Sequence, residues 1–413
     1  MEFKQVPGGV CAATGFRAAG VHCGVKSGCH GLPSANLKND LAMILSDCDC
    51  AAAAVYTTNR VKAAPLFVTM DHLEDGKCRG VIANSGNANA CCPGSRENAE
   101  RMCALAAAAT GLTADDFAVA STGVIGQTIN LAAIESGVPR LVEGLDYDGS
   151  DAAAQAIMTT DTVKKELAIS FELEGKTVTM GAIAKGSGMI HPNMGTMLCF
   201  ITTDCNISTE LLSRALRTVV PRTFNRVTVD GDTSTNDTCL VLANGLAGNS
   251  CIMEVNEDYA VFEAALSRIC TDLARAIASD GEGASRLITC TVSGAADEQA
   301  AEGLAKSVVG SSLVKAAMFG SDANWGRILC AMGYSGYVFD PEGVDVAFRS
   351  DVGEVAVCKQ GRALDFDEEL AARVLKCGEV VIDIALHEGN GVATCWGCDL
   401  TYEYVKINGD YRS

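Results

Sequence analysis

Two hydrophobic periods divide this chain. The apolar runs 41–45, 51–56 and 197–201 are short and unbroken, the texture of buried strands. Residues 80–82 and 117–120 read as two more short strands. Residues 168–173 and 176–180 alternate on either side of Glu174-Gly175, which predicts a hairpin. Other stretches follow the helical period. Residues 95–110 are alanine-rich, so Ser95 is expected to cap a helix that Gly111 ends. A second helix should open at Ser208, bury Leu211, Leu212, Ala215, Leu216 and Val219, and close at Pro221. The clearest one runs from Asn256 to Ser279, with Phe262, Leu266, Ile269, Leu273, Ala276 and Ile277 on one face. A fresh strand pattern begins at 287–292, followed by helical and strand segments. Strands and helices mixed in this way, without an internal repeat, predict an α/β (α+β) protein built in layers.

Polar loops sit at the ends of those strands. The sharpest change of character falls in residues 185–204, KGSGMIHPNMGTMLCFITTD. Its first half holds Gly186, Gly188, Pro192 and Asn193, a mixture that breaks helix and strand alike. Its second half is core strand, and Thr196 stands on the boundary behind Gly195. One reading makes Thr196 the cap of a buried strand. The other makes it a nucleophile: were the 195–196 bond cut, Thr196 would carry a hydroxyl and a free α-amine to serve it as base. Gly195, lacking a Cβ, suits a strained, closely approached carbonyl.

The other loops divide in the same way. Three asparagines in residues 83–89 are either turn formers or the amides of a polar pocket. Ser121-Thr122-Gly123 ends a strand, either as a plain turn or as adjacent hydroxyl and N–H donors for an oxyanion. Asp230, Asp232 and Asp237 resemble part of a calcium loop, but the twelfth position from Asp230 is Val241, so calcium is rejected. Glu282 follows the long helix, where the dipole disfavours a carboxylate unless it is solvated or receives a cationic ligand. The tail, with Tyr404, Ile407, Asn408 and Tyr411, is expected to be tied down.

Composition narrows the function. A chain of 413 residues exceeds one ordinary core, so two or three domains are expected. Hydrophobic residues make up 48% but aromatics only 5%, which suits close layers of helix on sheet. A formal net charge of −19 sets nucleic-acid phosphate aside as a partner. Cysteines such as Cys103, Cys199, Cys239 and Cys270 fall in core-like positions, which fits free thiols in a reducing cytoplasm. Cys395-Trp-Gly-Cys398 is a lone CxxC and the histidines show no ligand spacing, so no metal site is expected. Neither a signal peptide nor a membrane-spanning run is expected.

In order along the chain, these segments resemble the ornithine acetyltransferase family, the glutamate N-acetyltransferases of arginine biosynthesis. The carrying segments are residues 15–21, 83–89, 121–126, 158–162, 185–198, 230–238, 280–286, 323–327 and the tail. They span essentially the whole chain. The resemblance implies a layered α/β/β/α sandwich of the type shared with self-processing aminopeptidases, plus a smaller C-terminal α/β domain. It implies self-cleavage before Thr196 into an α chain, 1–195, and a β chain, 196–413. Within the β chain, 196–285 would complete the sandwich and 286–413 would form the C-terminal domain.

The resemblance also implies the chemistry. Thr196 would take acetyl from N2-acetyl-L-ornithine, with Thr122 and Gly123 supplying the oxyanion hole. L-Glutamate would then accept the acetyl group in a ping-pong cycle. Thr159, Lys185, Thr196, Glu282, Asn408 and Ser413 would bind substrate, Lys185 pairing α-carboxylates and Glu282 the side-chain amine of ornithine. An α-amine with a pKa of about 7.7–8.0 suits a general base near neutral pH. No cofactor or metal is implied, and acetyl-CoA stands as an open second donor. The implied partners are the amino-acid substrates and the enzyme's own cleaved chains, as an α2β2 heterotetramer in the cytoplasm. No nucleic acid or membrane is implied.

Two positions depart from the family pattern. The stretch HPNMGTML has His191 and Gly195 where the family commonly has alanine. Gly195 should still permit cleavage. His191 reads as a tolerated surface change, with altered cleavage or gating as the alternative. The rival within enzymes is a self-processing N-terminal-threonine aminopeptidase or amidase of the same fold, with water as acceptor. A cysteine-rich redox or metal-binding protein is the rival from another class.

Overall fold

The computed structural model describes residues 3–26, 38–191 and 197–410. Its elements begin with β1 (Lys4–Val6), β2 (Phe16–Val21), β3 (Leu41–Tyr56), α1 (Ala64–His72) and β4 (Lys77–Asn87). Next come α2 (Ser95–Thr110), β5 (Phe117–Val124), α3 (Leu131–Glu143), α4 (Ser150–Ile157), β6 (Lys165–Leu173) and β7 (Lys176–Lys185). After the expected cleavage segment follow β8 (Leu198–Thr203), α5 (Thr209–Arg222), β9 (Val227–Thr228), β10 (Thr238–Ala243), α6 (Glu257–Ser279) and β11 (Leu287–Ala295). The last part contains α7 (Glu298–Gly310), α8 (Ser312–Phe319), α9 (Trp325–Gly333), β12 (Asp345–Ser350), β13 (Gly353–Lys359) and β14 (Arg362–Ala363). It ends with α10 (Glu368–Leu375), β15 (Glu379–Ala385), β16 (Gly391–Cys398) and α11 (Tyr402–Asp410).

The long strand β3 sets the architecture. Two separate strands were expected here, and the structure has one, whose register slips between Leu45 and Cys50. The slip falls on the polar residues Ser46, Asp47 and Asp49, and such an irregularity bends a strand without ending it. Before the slip β3 pairs with β2 and β4; beyond it, β4 stays paired only at Cys50 and Ala51, and β10 pairs with residues 51–56. One strand therefore belongs to two half-sheets. The first holds β2, β3, β4 and β5, and the second runs β1-β6-β7-β8-β10-β3.

The half-sheets face each other across a buried core. Small residues such as Ala18, Ala42, Ala52, Ala83 and Ala120 let them close over Phe16, Ile44, Phe200 and Leu240. Outside the first half-sheet, Met102, Cys103, Ile134 and Leu141 of α2 and α3 pack on Met43, Ile82 and Phe117. Outside the second, Leu212, Leu216, Phe262, Leu266 and Ile269 of α5 and α6 pack on Met180, Ala182, Ile201 and Val241. The order is helix, sheet, sheet, helix, the sandwich that the family resemblance implies. Burying each of those large apolar side chains contributes about 1.5–3 kcal/mol, which makes the helix faces a main source of cohesion.

Local chemistry explains the element ends. Asn256 accepts from Tyr259 N–H (3.0 Å) and starts α6 where its cap was expected. Ser208 does the same for α5 through Leu211 N–H (3.4 Å). For α2 the expectation needs correcting. Its cap is Gly94, left-handed at φ 72°, while Ser95 Oγ turns back to donate to Cys92 O (2.5 Å). The β6–β7 hairpin turns on Glu174 (φ 51°) and Gly175 (φ 72°), the pair of positive φ angles that a two-residue turn requires.

The asparagine-rich stretch also departs from expectation. Residues 83–87 are strand, not loop, and pair in parallel with β5. Their polar groups are satisfied inside the core. Asn84 Nδ2 donates to Asn87 O (2.9 Å), Ser121 Oγ donates to Asn84 Oδ1 (2.6 Å), and Ser85 Oγ donates to Ala156 O (2.5 Å).

A second sheet has the order β14-β13-β12-β15-β11-β16-β9. Its core joins Ile288, Val292, Phe348 and Ile382 to Leu304 and Val308 of α7. Strand β9, from the middle of the chain, enters this sheet beside β16 and ties it to the sandwich. Among the described residues no helix is long and apolar enough to cross a membrane.

Candidate active site

Strands β5 and β7 end at the same cleft. Thr122, Gly123, Thr159, Lys185, Glu282 and Asn408 line it, together with Met189, Met197, Leu198 and the 234–237 turn. Distant parts of the chain, from β5 to α11, thus share one opening. Gly195, Thr196 and Ser413 lie outside the described residues. Met197, the residue that follows Thr196, lines the cleft, and its carbonyl accepts from Thr238 N–H (3.0 Å).

The β5 end of the cleft depends on a glycine. Gly123 sits at φ 131°, and a Cβ there would meet the carbonyl carbon of Gly86 at 2.3 Å. Only glycine allows β4 and β5 to approach so closely at the point where Thr122 faces the opening. Across from it, Lys185 Nζ donates to Thr122 Oγ1 at the long distance of 3.5 Å. Asn236 fastens the floor, its Nδ2 donating to Ala88 O (2.6 Å) and Ser121 O (2.8 Å).

Behind Lys185 lies a buried charge network. Asp161 Oδ1 accepts from Lys165 Nζ (2.8 Å) and Gly186 N–H (2.7 Å), and Oδ2 accepts from Thr159 N–H (3.0 Å). Burial alone would push this carboxyl up, but Lys185, Lys165 and the Gly186 N–H outweigh it and hold Asp161 well below the usual carboxylate range. Lys165 Nζ also donates to Asp280 Oδ2 (2.6 Å). Asp280 closes the C-terminal end of α6, where it accepts from Thr162 and Val163 N–H and from the Thr162 hydroxyl.

On the far wall, Glu282 Oε2 accepts from Asn408 Nδ2 (2.7 Å), a contact that ties α11 to the cleft. Helix α11 contributes no buried side chain of its own, so its anchoring is polar, with Tyr402 also edge-on to Phe319 at 5.6 Å. Asp230 accepts from Met189 N–H (2.6 Å), Ile190 N–H (2.9 Å) and Asp232 N–H (3.1 Å), so the acidic loop grips backbone. Burial raises the Asp230 carboxyl, and burial together with Asp230 and Glu282 raises the Tyr404 phenol. His191 is not a free surface change. It is half-buried, with Nδ1 3.0 Å from Thr228 Oγ1 and its carbonyl accepting from Thr233 Oγ1 (2.8 Å).

Periodicity and spacing pointed to Thr196, Thr122, Gly123 and Glu282; Thr159, Lys185, Asn408 and Ser413 came through the family resemblance. Neither route found Asp161, Lys165 or Asp280, although Asp161 and Asp280 lie in segments that carry the resemblance. Folding brings Asp280 to Lys165 from 115 positions away.

Comparison with known proteins agrees over nearly the full chain. The ArgJ family model matches residues 17–413. The arginine biosynthesis bifunctional protein ArgJ of Symbiobacterium thermophilum is 51% identical over 412 residues, 99% of this chain and 100% of that one. The ArgJ 1 protein of Clostridium acetobutylicum is 47% identical, over 96% of each chain. The crystal structure of the Bacillus halodurans ArgJ protein matches at 50% identity and a TM-score of 0.50. It aligns 52% of this chain with 100% of that chain.

Proposed function

Because this chain belongs to the ArgJ family, we propose that it carries acetyl from N2-acetyl-L-ornithine to L-glutamate in arginine biosynthesis. The observation that carries the reading is the pairing of Lys185 and Glu282 in one cleft, beside Thr122 and Gly123 and against Met197. An α-carboxylate suits Lys185, and a side-chain ammonium suits Glu282. A molecule carrying both groups would span the opening with its acetylated α-amine between them.

The catalyst in this reading is Thr196, made a new chain start by cleavage after Gly195. Its α-amine takes the proton from its own hydroxyl as Oγ attacks the acetyl carbonyl. Thr122 and the Gly123 N–H hold the oxyanion that forms. The intermediate collapses, the C–N bond breaks, and the proton passes to the departing amine of ornithine. Glutamate's amine then attacks acetyl-Thr196 by the reverse of these steps. Thr159, Asn408 and Ser413 complete the substrate contacts. The cycle asks for no metal or cofactor, and acetyl-CoA is an alternative source of the acetyl group. We further propose chains of residues 1–195 and 196–413, two of each in the assembly, working in the cytoplasm. Residues 286–413 would be a C-terminal domain.

Intact mass of the purified protein tests the catalyst. Two fragments are expected from the parent and one uncut, inactive chain from Thr196→Ala. Labelled acetyl should move from N2-acetylornithine to glutamate faster than it is lost to water. A fully active continuous chain, or acetyl retained on another side chain, would reject Thr196.

A further inference from the structure

Asp161, Lys165 and Asp280 lie behind the cleft wall rather than on it. Lys165 is only 3% exposed, and its ammonium bridges the two carboxylates at 2.8 and 2.6 Å. Each carboxylate then holds a different part of the wall. Asp161 takes the N–H groups of Thr159 and Gly186, and Gly186 adjoins Lys185. Asp280 takes those of Thr162 and Val163, and its carbonyl accepts from Ser187 Oγ (2.6 Å). The Ser187 carbonyl in turn accepts from Glu282 N–H (2.9 Å). An unbroken line of bonds therefore runs from the backbone beside Lys185 to the backbone of Glu282.

A buried ion triad is a weak device for stability alone, because apolar residues of the same volume often do as well. It is a strong device for holding a distance. Each link that stretches leaves a charge without its partner in a medium that screens little. In the acetyl-transfer reading above, on which this inference rests, the two ends held apart are the groups that bind the two ends of the donor.

We propose that the Asp161–Lys165–Asp280 bridge is a length gauge: it fixes the span from Lys185 to Glu282 and so selects donors by the number of methylenes between carboxylate and side-chain amine. Its members are positioning residues and touch no substrate.

The test compares wild type, Asp161→Asn and Ser187→Ala on the N2-acetyl derivatives of 2,4-diaminobutyrate, ornithine and lysine, with glutamate as acceptor. The first substitution removes one ionic arm and turns an amide N–H towards a donor that Asp161 now accepts from, so it should lower the melting temperature. The second removes one neutral link, so its melting should stay close to wild type. Wild type should prefer the ornithine derivative by roughly tenfold or more over either homologue, the usual worth of one methylene. In both variants that preference should fall by about tenfold, through KM for the donor more than through kcat. An equal loss on all three donors, or an unchanged preference in variants that still melt cooperatively, overturns the gauge. If one variant fails to melt cooperatively, the other decides. A wild-type enzyme inert towards all three donors would instead overturn the acetyl-transfer reading, and the gauge with it.

Discussion

Gly188 and Glu282 are so close that no side chain fits between them: a Cβ built on Gly188 would lie 2.2 Å from the Glu282 carboxylate. The obstructed atoms are the far end of a flexible side chain, so an added methyl would swing Glu282 aside without disturbing the core. Gly188→Ala should therefore melt near wild type while kcat/KM for N2-acetylornithine falls by about 100-fold, the scale of an ångström's misplacement. Steady-state kinetics beside a melting curve checks this. Normal kinetics would mean that Glu282 does not bind the donor.

Asn408 fastens α11 to the cleft wall through its side chain, and that helix buries nothing of its own. A hydrogen bond to a charged group contributes about 1.5–3 kcal/mol. Asn408→Ala should cost at least about tenfold in kcat/KM, while the melting temperature hardly moves. A large drop in melting temperature would show that α11 is structural instead.

Asp237 is a buried carboxyl whose Oδ2 has no hydrogen-bond partner among the described residues. Burial raises it well above the ordinary carboxylate range. A carboxyl raised on folding favours the folded state below its unfolded value, and that advantage is lost as pH rises through the folded value. Asp237→Asn should therefore gain stability over the parent as pH rises above the ordinary carboxylate value of about 4. Melting temperatures across that range decide it, and parallel curves for the two proteins would refute the assignment.

His191 runs the other way. Burial, aided by Lys306, lowers it from 6.5 to about 4. Its contribution to stability is present above 6.5 and is lost as pH falls through about 4. His191→Gln should flatten the acid limb of the stability curve between those values, as read by urea midpoints. An acid limb as steep as the parent's would place the sensitivity elsewhere.

Much of this was legible in the residues themselves. The α6 helix, 257–279, announced its cap at Asn256 and its buried face by period, and the Glu174-Gly175 hairpin announced its turn. Short-range chemistry decides such features. The bend in β3 was not legible, because polar residues on a slipping strand look like a strand's end. Residues 83–87 misled for a related reason: buried amides bonded within the core have the same letters as an open turn. Lys165 looked like any charged residue before a strand. Only folding brings Asp280 to its ammonium.

The position of β8 has a consequence for the life of the molecule. All six of its residues are zipped to β7 on one side and to β10 on the other. A break in the chain just ahead of Met197 would thus create a new terminus without creating two separable bodies. Each piece would be the other's missing sheet neighbour. Once nicked, the protein should survive native handling as a unit, yet recover poorly from full denaturation, since the covalent tie that first brought the seam together would be gone.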